Sequence, residues 1–268
     1  MVNNFGIRNP IFVGGLMKSG SSLVRKLIGL HPNIYCSFET HWFEPELQVS
    51  WRDSTSERQR YLREFFEVTM DDFEALKRQS TNGTDFFCRF MDFCMRNAKK
   101  TVWLDKTPGN IFHYKKIKDV WPESRFIHTQ RDLRDVFSSL KKNKGMALDD
   151  FLYVARKHLT VTELVRKEFG ESYFSIRYED LVLSPRKVLM EVFCFLGERW
   201  YDGLEMYEGD PHEAQKILKV TGNYSSTAES ISRPIFSNSI GRWRTDLADD
   251  EIRQLEELVA SELKDEGV

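Results

Sequence analysis

The sequence has few cysteines, no long apolar run and no excess of charge of either sign. Its four cysteines are too few and too scattered for a disulfide framework or a metal site. They are Cys36, Cys88, Cys94 and Cys194, and we expect free, buried thiols. Every apolar stretch is shorter than the roughly 18 residues of a membrane span, so we expect no span. The 39 Lys and Arg against 41 Asp and Glu leave a net charge of −2, which argues against nucleic acid as a partner.

Leader and linker signals are also missing. Residues 1–12 lack the basic start, apolar middle and small-residue cleavage site of a signal peptide, so we expect a cytoplasmic protein. No repeat, Pro-rich or Gly/Ser-rich segment divides the chain. With 41% apolar and 30% charged residues, residues 1–268 are predicted to form one globular domain.

The apolar pattern predicts an α/β fold in which a parallel sheet is flanked by helices. Each short β-like run is followed by a helical pattern, which is typical of a parallel sheet with crossover helices. The predicted strands are 10–15, 101–105, 125–130 and 173–178. Ser184, Pro185 and Gly197 mark the start and end of one helix. A final helix, 249–263, carries an apolar stripe of Ile252, Leu255, Val259 and Leu263.

Two segments interrupt this alternation. Residues 42–100 are rich in aromatic and charged side chains and are predicted to form helices and loops without a strand. Residues 205–240 are polar and irregular in composition. Insertions on such a sheet lie near the carboxyl ends of the strands, so we expect both to shape the pocket of an acceptor substrate or a lid.

The first predicted strand leads into a glycine-containing loop, Gly14 to Ser22, and then a helix. Backbone amides at such a helix start form an anion cradle. Against the pattern G-x-x-x-x-G-K-[ST], Gly15, Gly20 and Ser22 match, but Ser21 stands in the lysine position and the loop's lysine is Lys18. This disfavours nucleoside-triphosphate chemistry, although a small-molecule kinase of the P-loop type and a turn without a ligand stay open as alternatives.

A second candidate anion site follows the strand 125–130. Arg131 directly follows that strand, and Ser139 lies seven residues after Asp132, which opens the next helix. Seven residues make two helical turns, so both side chains can face one site. The guanidinium fork of an arginine suits a phosphate. The alternative is that Arg131 pairs with Asp132 or Asp135 and that Ser139 faces solvent.

The string LMKSGSSLVRKLIGLHPNIYCSFET resembles the 5′-phosphosulfate loop of sulfotransferases that use 3′-phosphoadenosine-5′-phosphosulfate (PAPS). Within that family it is most similar to the tyrosylprotein and heparan types and their bacterial relatives. The resemblance runs from about Ile11 to Leu247 in ordered blocks and implies the sulfotransferase fold. It also implies that Arg131 and Ser139 bind the 3′-phosphate, while the loop binds the 5′-phosphosulfate through Lys18, Ser19, Gly20, Ser21 and Ser22.

The same resemblance implies the catalytic groups. Glu39 matches the proposed general base, and Lys18 and Lys106 match cations that stabilise the bridging oxygen and the leaving group. Cytosolic relatives carry a histidine base two residues after such a lysine, where this chain has Pro108, so the base falls to Glu39. We expect neighbouring aromatic side chains to bury Glu39 partly and to raise its pKa. His113 is predicted to be a surface or packing residue.

Two later segments complete the resemblance. Tyr178, in the segment IRYEDL, matches a residue that contacts the nucleotide, although it could merely tie down a turn. Arg242 or Arg244, beside Trp243, matches the late basic segment that closes over PAPS.

The resulting hypothesis is a sulfotransferase that uses PAPS as co-substrate, releases 3′-phosphoadenosine-5′-phosphate (PAP) and needs no metal. The acceptor is a hydroxyl or amine of a small molecule, glycan or peptide, with carbohydrate preferred. The alternatives are a P-loop small-molecule kinase, which needs ATP and Mg²⁺, and a catalytically dead nucleotide- or glycan-binding module of the same fold. The sequence leaves the oligomeric state open.

Overall fold

The computed structural model of the protein describes residues 9–44, 51–53, 56–223 and 225–265, with side chains up to residue 260. Its centre is a five-stranded, fully parallel sheet with the order β2-β3-β1-β4-β5. The strands are β1 (Ile11–Gly15), β2 (Ile34–Cys36), β3 (Val102–Lys106), β4 (Arg125–Gln130) and β5 (Tyr173–Arg177). The predicted parallel sheet is therefore confirmed. The edge strand β2 was missed, because three residues are too short to show an alternating pattern.

Helices cover both faces of the sheet. They are α1 (Ser21–Gly29), α2 (Glu57–Phe65), α3 (Met70–Gln79), α4 (Gly83–Asn97), α5 (Tyr114–Val120), α6 (Leu133–Lys144), α7 (Leu148–Phe169), α8 (Tyr178–Leu183), α9 (Pro185–Leu196), α10 (Pro211–Thr221), α11 (Ser226–Ile231), α12 (Trp243–Asp246) and α13 (Asp249–Asp265). The described part of 42–100 contains helices and no strand, as predicted. The segment 205–240 is more regular than expected, since it contains α10 and α11.

The aromatic residues of 42–100 form a core on one face of the sheet. Alternate residues of the strands point to opposite faces, and Phe12 and Trp103 both point to this one. Their rings lie edge to face at 5.6 Å, and Trp42 stacks on Phe87 at 5.0 Å. Because most of these rings are buried, they stabilise the fold and offer little surface to an acceptor.

The local sequence patterns predicted the ends of α9 correctly but the buried face of α13 only in part. Ser184 is the N-cap of α9, but its side chain makes no capping hydrogen bond; Gly197 ends the helix at φ 65°. On α13, Leu255 and Leu258 are buried against α6 and α7, whereas Val259 is 39% exposed. The predicted stripe through Val259 is thus wrong, because Leu258 takes its place on the buried face. The side chain of Leu263 lies outside the described residues.

Two features expected from composition concern membrane spans and cysteines. Among the described residues, no helix has the length and apolar character needed to cross a bilayer. All four cysteines are free thiols. Cys88 and Cys94 are buried and Cys36 is half-buried, but Cys194 is exposed because it lies on the outer face of α9.

Candidate active site

The loop between β1 and α1 has a strained backbone that only certain residues accommodate. Gly20, just before α1, adopts φ 95°, and Lys18 adopts φ 70°. A Cβ on Gly20 would lie 2.4 Å from Cδ2 of Tyr178, so the absence of a side chain lets the tyrosine ring close against the loop. Strain of this kind is typical of ligand-binding turns.

A cavity of about 750 Å³ opens at the carboxyl edge of the sheet, between the loop, α6, α11 and residues 233–242. Nine of the site residues predicted from the sequence line it: Lys18, Gly20, Ser21, Ser22, Glu39, Arg131, Ser139, Tyr178 and Arg242. Lys106 lies just behind the cavity wall, 2% exposed, and donates to Ser22 Oγ at 3.2 Å and to Glu39. Ser19 faces away, because its buried hydroxyl bonds to Thr129 Oγ1 at 2.6 Å.

Arg131 joins the loop to the opposite wall of the cavity. Its Nη1 donates to the carbonyl of Lys18 at 3.1 Å and its Nη2 to the carbonyl of Ser239 at 2.7 Å. Its guanidinium lies 4.3 Å from the ring centroid of Tyr178, whose hydroxyl bonds to Ser239 Oγ at 2.7 Å. Tyr178 is thus a wall of the cavity.

The alternative roles of Arg131 and Ser139 are wrong. Asp132 pairs with Arg134, and Asp135 accepts from the backbone N–H groups of Gly241 and Trp243. Neither acid is therefore the partner of Arg131. Ser139 is buried on the cavity side of α6 rather than facing solvent.

Arg242 approaches the cavity from the late basic segment. Its Nε donates to Ser138 Oγ at 3.0 Å and to Asp246 Oδ2 at 3.2 Å. Arg244 instead stacks on Trp243 at 4.5 Å, so Arg242 is the arginine that lines the cavity. Within the described residues, Nη2 of Arg242 and Nε of Arg131 are buried donors without a partner. Unpaired N–H groups of two arginines that line one cavity fit an anionic ligand.

Glu39 lies at the centre of a chain of charged groups. It accepts from Lys106, and its Oε2 is 3.0 Å from Nε2 of His41. The other ring nitrogen of His41 lies 2.6 Å from Oε1 of Glu44. The second carboxylate oxygen of Glu44, Oε2, accepts from Nη2 of Arg58 at 3.3 Å. The imidazole thus fixes the orientation of the Glu39 carboxylate.

The expected rise in the pKa of Glu39 is wrong. Burial acts in the predicted direction, but the charge of Lys106 and the hydrogen bond from His41 outweigh it and hold the pKa of Glu39 well below its usual range. Burial also lowers the pKa of Lys106, against the opposing effect of Glu39. Glu39 is therefore an ionised carboxylate at neutral pH.

Comparison with known proteins decides the family. A model described as the sulfotransferase family matches residues 10–202, which is most of the chain. The chain belongs to the sulfotransferase family. This agrees with the resemblance seen in the loop sequence and argues against a P-loop kinase.

Relatives of this chain include a protein-tyrosine sulfotransferase of Drosophila melanogaster, 21% identical over 92% of this chain and 49% of the relative. Protein-tyrosine sulfotransferase 1 of Danio rerio is 22% identical over 87% of this chain and 65% of the relative. The chain spans about half to two thirds of the length of these relatives.

Solved structures show the same fold. The sulfotransferase domain of the Synechococcus PCC 7002 olefin synthase superimposes with a TM-score of 0.68 at 23% identity, over 95% of both chains. The sulfotransferase domain from the curacin biosynthetic pathway gives a TM-score of 0.62 at 18% identity, over 95% of this chain and 98% of that one.

Among the described residues near this cavity, Ser226, Thr227, His41 and Glu44 were not predicted from the sequence. Lys18 Nζ donates to Ser226 Oγ at 2.7 Å and to Thr227 Oγ1 at 3.2 Å, across more than 200 residues of sequence. No local pattern signals such a contact. His41 and Glu44 could have been found from their spacing after Glu39. His113, by contrast, packs beside Phe43 as predicted, with ring centroids 6.2 Å apart.

Proposed function

We propose that the protein transfers a sulfuryl group from PAPS to a hydroxyl or amine of an acceptor and releases PAP. The observation that carries this proposal is that one cavity joins Lys18, Glu39, Arg131 and Ser139. Arg131, Ser139 and Arg242 bind the 3′-phosphate, and Tyr178 forms a wall for the nucleotide. The loop amides and Lys18 bind the 5′-phosphosulfate. The side chain of Ser19 does not take part, because its hydroxyl bonds to Thr129 in the interior.

In the proposed reaction the acceptor oxygen forms a bond to sulfur while the bond from sulfur to the bridging oxygen of the 5′-phosphate breaks. Glu39 takes the acceptor proton, and the electron pair of the broken bond stays on the phosphate of PAP. Lys18 and Lys106 stabilise the negative charge that develops on the bridging oxygen. In this scheme Lys18, Lys106 and the backbone N–H groups of the loop stabilise the developing charge.

The pairing of Lys106 with Glu39 suggests how the base is activated. While Lys106 donates to Glu39, the carboxylate is too weak a base to abstract a proton efficiently. In the proposal, Lys106 turns from Glu39 toward the bridging oxygen when PAPS binds, and this raises the pKa of Glu39. His41 keeps the carboxylate oriented during the change.

The relatives' names make the hydroxyl of a tyrosyl peptide the first acceptor to test. Small phenols and sugars complete the panel, and sugars rank lower now that the aromatic residues of 42–100 are known to form a core.

The proposal is tested by incubating the protein with PAPS and this acceptor panel and measuring PAP release and acceptor mass. Sulfation of any acceptor supports it. Thermal stabilisation of the protein by PAP without metal distinguishes a sulfotransferase from a P-loop kinase, because a kinase requires Mg-ATP. Binding of PAP with no turnover of any acceptor would favour the catalytically dead module, and stabilisation by Mg-ATP alone would contradict the proposal.

A further inference from the structure

A buried ion-pair cluster joins α10 to the helix that begins at the phosphate loop. On α1, both terminal nitrogens of the Arg25 guanidinium donate hydrogen bonds to the two carboxylate oxygens of Glu213, and Lys26 forms an ion pair with Glu213 as well. The side chains of Arg25 and Glu213 are only 6% and 9% exposed. Lys26 also donates to Asp210 at 2.6 Å. A paired charge this deeply buried ties the two helices firmly, because neither partner can be solvated alone.

The start of α10 is in turn fixed to the end of α11. The N–H of Asp210 donates to the carbonyl of Ile231 at 2.7 Å, and the hydroxyl of Tyr207 donates to the same carbonyl. Gly209 adopts φ 99°, and a Cβ there would lie 2.4 Å from the carbonyl oxygen of Ser232. Residues 207–210 and α11 are thus in close contact, so that the position of α10 determines the position of α11.

The first turn of α11 reaches the phosphate loop. Ser226 and Thr227 accept hydrogen bonds from the ammonium group of Lys18, and each hydroxyl keeps its own proton to donate. The third ammonium proton and these two hydroxyl protons form a set of donors beside the loop. Such a set suits an anionic group, provided that α11 stays seated over Lys18.

We propose that Glu213 is a positioning residue of the nucleotide site: by holding Arg25 and Lys26 it seats α11 so that Ser226 and Thr227 hold Lys18 against the anion. The inference rests on the proposed function, since it takes the nucleotide as the ligand of this cavity. Glu213 itself lies outside the residues that line the cavity. It acts through successive contacts: α1 pairs with α10, α10 contacts α11, and α11 binds Lys18 in the loop that precedes α1.

The test measures PAP binding by calorimetry and PAPS kinetics for Glu213→Gln, which keeps the shape of the side chain and removes its charge. We expect the dissociation constant for PAP and the KM for PAPS to rise about tenfold, with kcat changed much less. Glu67→Gln is the matched control. Glu67 pairs at 2.5 Å with Lys216, which lies on α10 like Glu213, but the side chain of Glu67 is exposed to solvent. It should leave both constants unchanged.

A double-mutant cycle separates positioning from general destabilisation. Ser226→Ala should weaken PAP binding about tenfold in the parent protein but only about twofold in the Glu213→Gln background, because the serine is no longer seated there. Additive effects of the two changes, or an unchanged dissociation constant in Glu213→Gln, would overturn the inference. Failure of the parent protein to bind PAP would overturn the proposed function and the inference together.

A second variant keeps the inference testable if Glu213→Gln does not fold. Gly209→Ala alters no charge but forces residues 207–210 away from α11, so we expect it to weaken PAP binding as well. Gly203→Ala is its control, since Gly203 has nearly the same φ, 96°, with no atom within 4 Å of the added Cβ. Equal PAP affinity for the two alanine variants would contradict the path through α11.

Discussion

Arg131 donates a hydrogen bond to the backbone carbonyl of Lys18 at 3.1 Å, across 113 residues of sequence. Arg131 directly follows β4, and Lys18 lies in the loop after β1. Because β1 and β4 pair in parallel, the two residues meet at the same edge of the sheet. This contact makes the phosphate loop and the second candidate anion site two ends of one cavity.

The first prediction concerns Arg131→Lys. Lysine keeps the charge but has one nitrogen in place of the planar fork, so it cannot reach the Lys18 and Ser239 carbonyls from two separate nitrogens and leave a third, like Nε of Arg131, for a phosphate. We expect the dissociation constant for PAP to rise about 10- to 100-fold, measured by calorimetry. Arg134→Lys is the matched control, because Arg134 pairs with Asp132 and Glu256 outside this cavity. Equal effects of the two changes would show that Arg131 has no special role.

The second prediction concerns Glu39→Gln. The amide cannot accept the acceptor proton, so kcat should fall at least about 100-fold, while PAP affinity changes little. Single-turnover assays measure the effect, with PAPS and an unsulfated acceptor from the panel that the parent protein is found to sulfate. Glu163→Gln, an exposed glutamate of α7 paired with Arg166, should match the parent protein. A Glu39→Gln variant with the parent's rate would remove Glu39 as the base.

The third prediction concerns the pH dependence of stability. Burial lowers the pKa of His41, but Glu39 and Glu44 outweigh it and raise this pKa above its usual value. Protonated His41 therefore stabilises the fold fully below the unfolded-state pKa of about 6.5, and the contribution disappears as the pH rises through the higher folded-state pKa. His41→Gln should lower the free energy of unfolding by about 1 kcal/mol more at pH ~6 than at pH ~9, measured by urea denaturation.

His113→Gln is the control for this experiment, because burial and Lys116 lower the pKa of His113. A lowered pKa reverses the sign, so the His113 variant should gain stability relative to the parent as the pH falls. The same pH trend in both variants would contradict the ion-pair account of His41.

The fourth prediction concerns the loop glycine. Gly20→Ala puts a Cβ against the ring of Tyr178 at a left-handed φ, so we expect a loss of about 1–3 kcal/mol in the free energy of unfolding and weaker PAP binding. Gly145→Ala has a left-handed φ of 62° but open space around the Cβ. It should cost less stability and leave PAP affinity unchanged. If the two variants lose equal stability and affinity, the contact with Tyr178 is unimportant.

Local patterns predicted the sheet and one half of the site. The apolar run before Gly15 and the strand end at Arg131 are local features, and parallel pairing then places them at one edge. The contacts of Lys18 with Ser226 and of Arg25 with Glu213 join distant parts of the chain and have no local signature. The pKa of Glu39 could not be predicted from its apolar neighbours, because the deciding charge comes from Lys106, which lies on β3, far away in the sequence.

A crystal structure of the protein with PAP is the most direct test of the central claim that one nucleotide connects the two anion sites. We expect the 5′-phosphate to lie on the loop amides and Lys18, and the 3′-phosphate on Arg131 and Ser139. PAP bound elsewhere, or with either phosphate off its assigned residues, would contradict it.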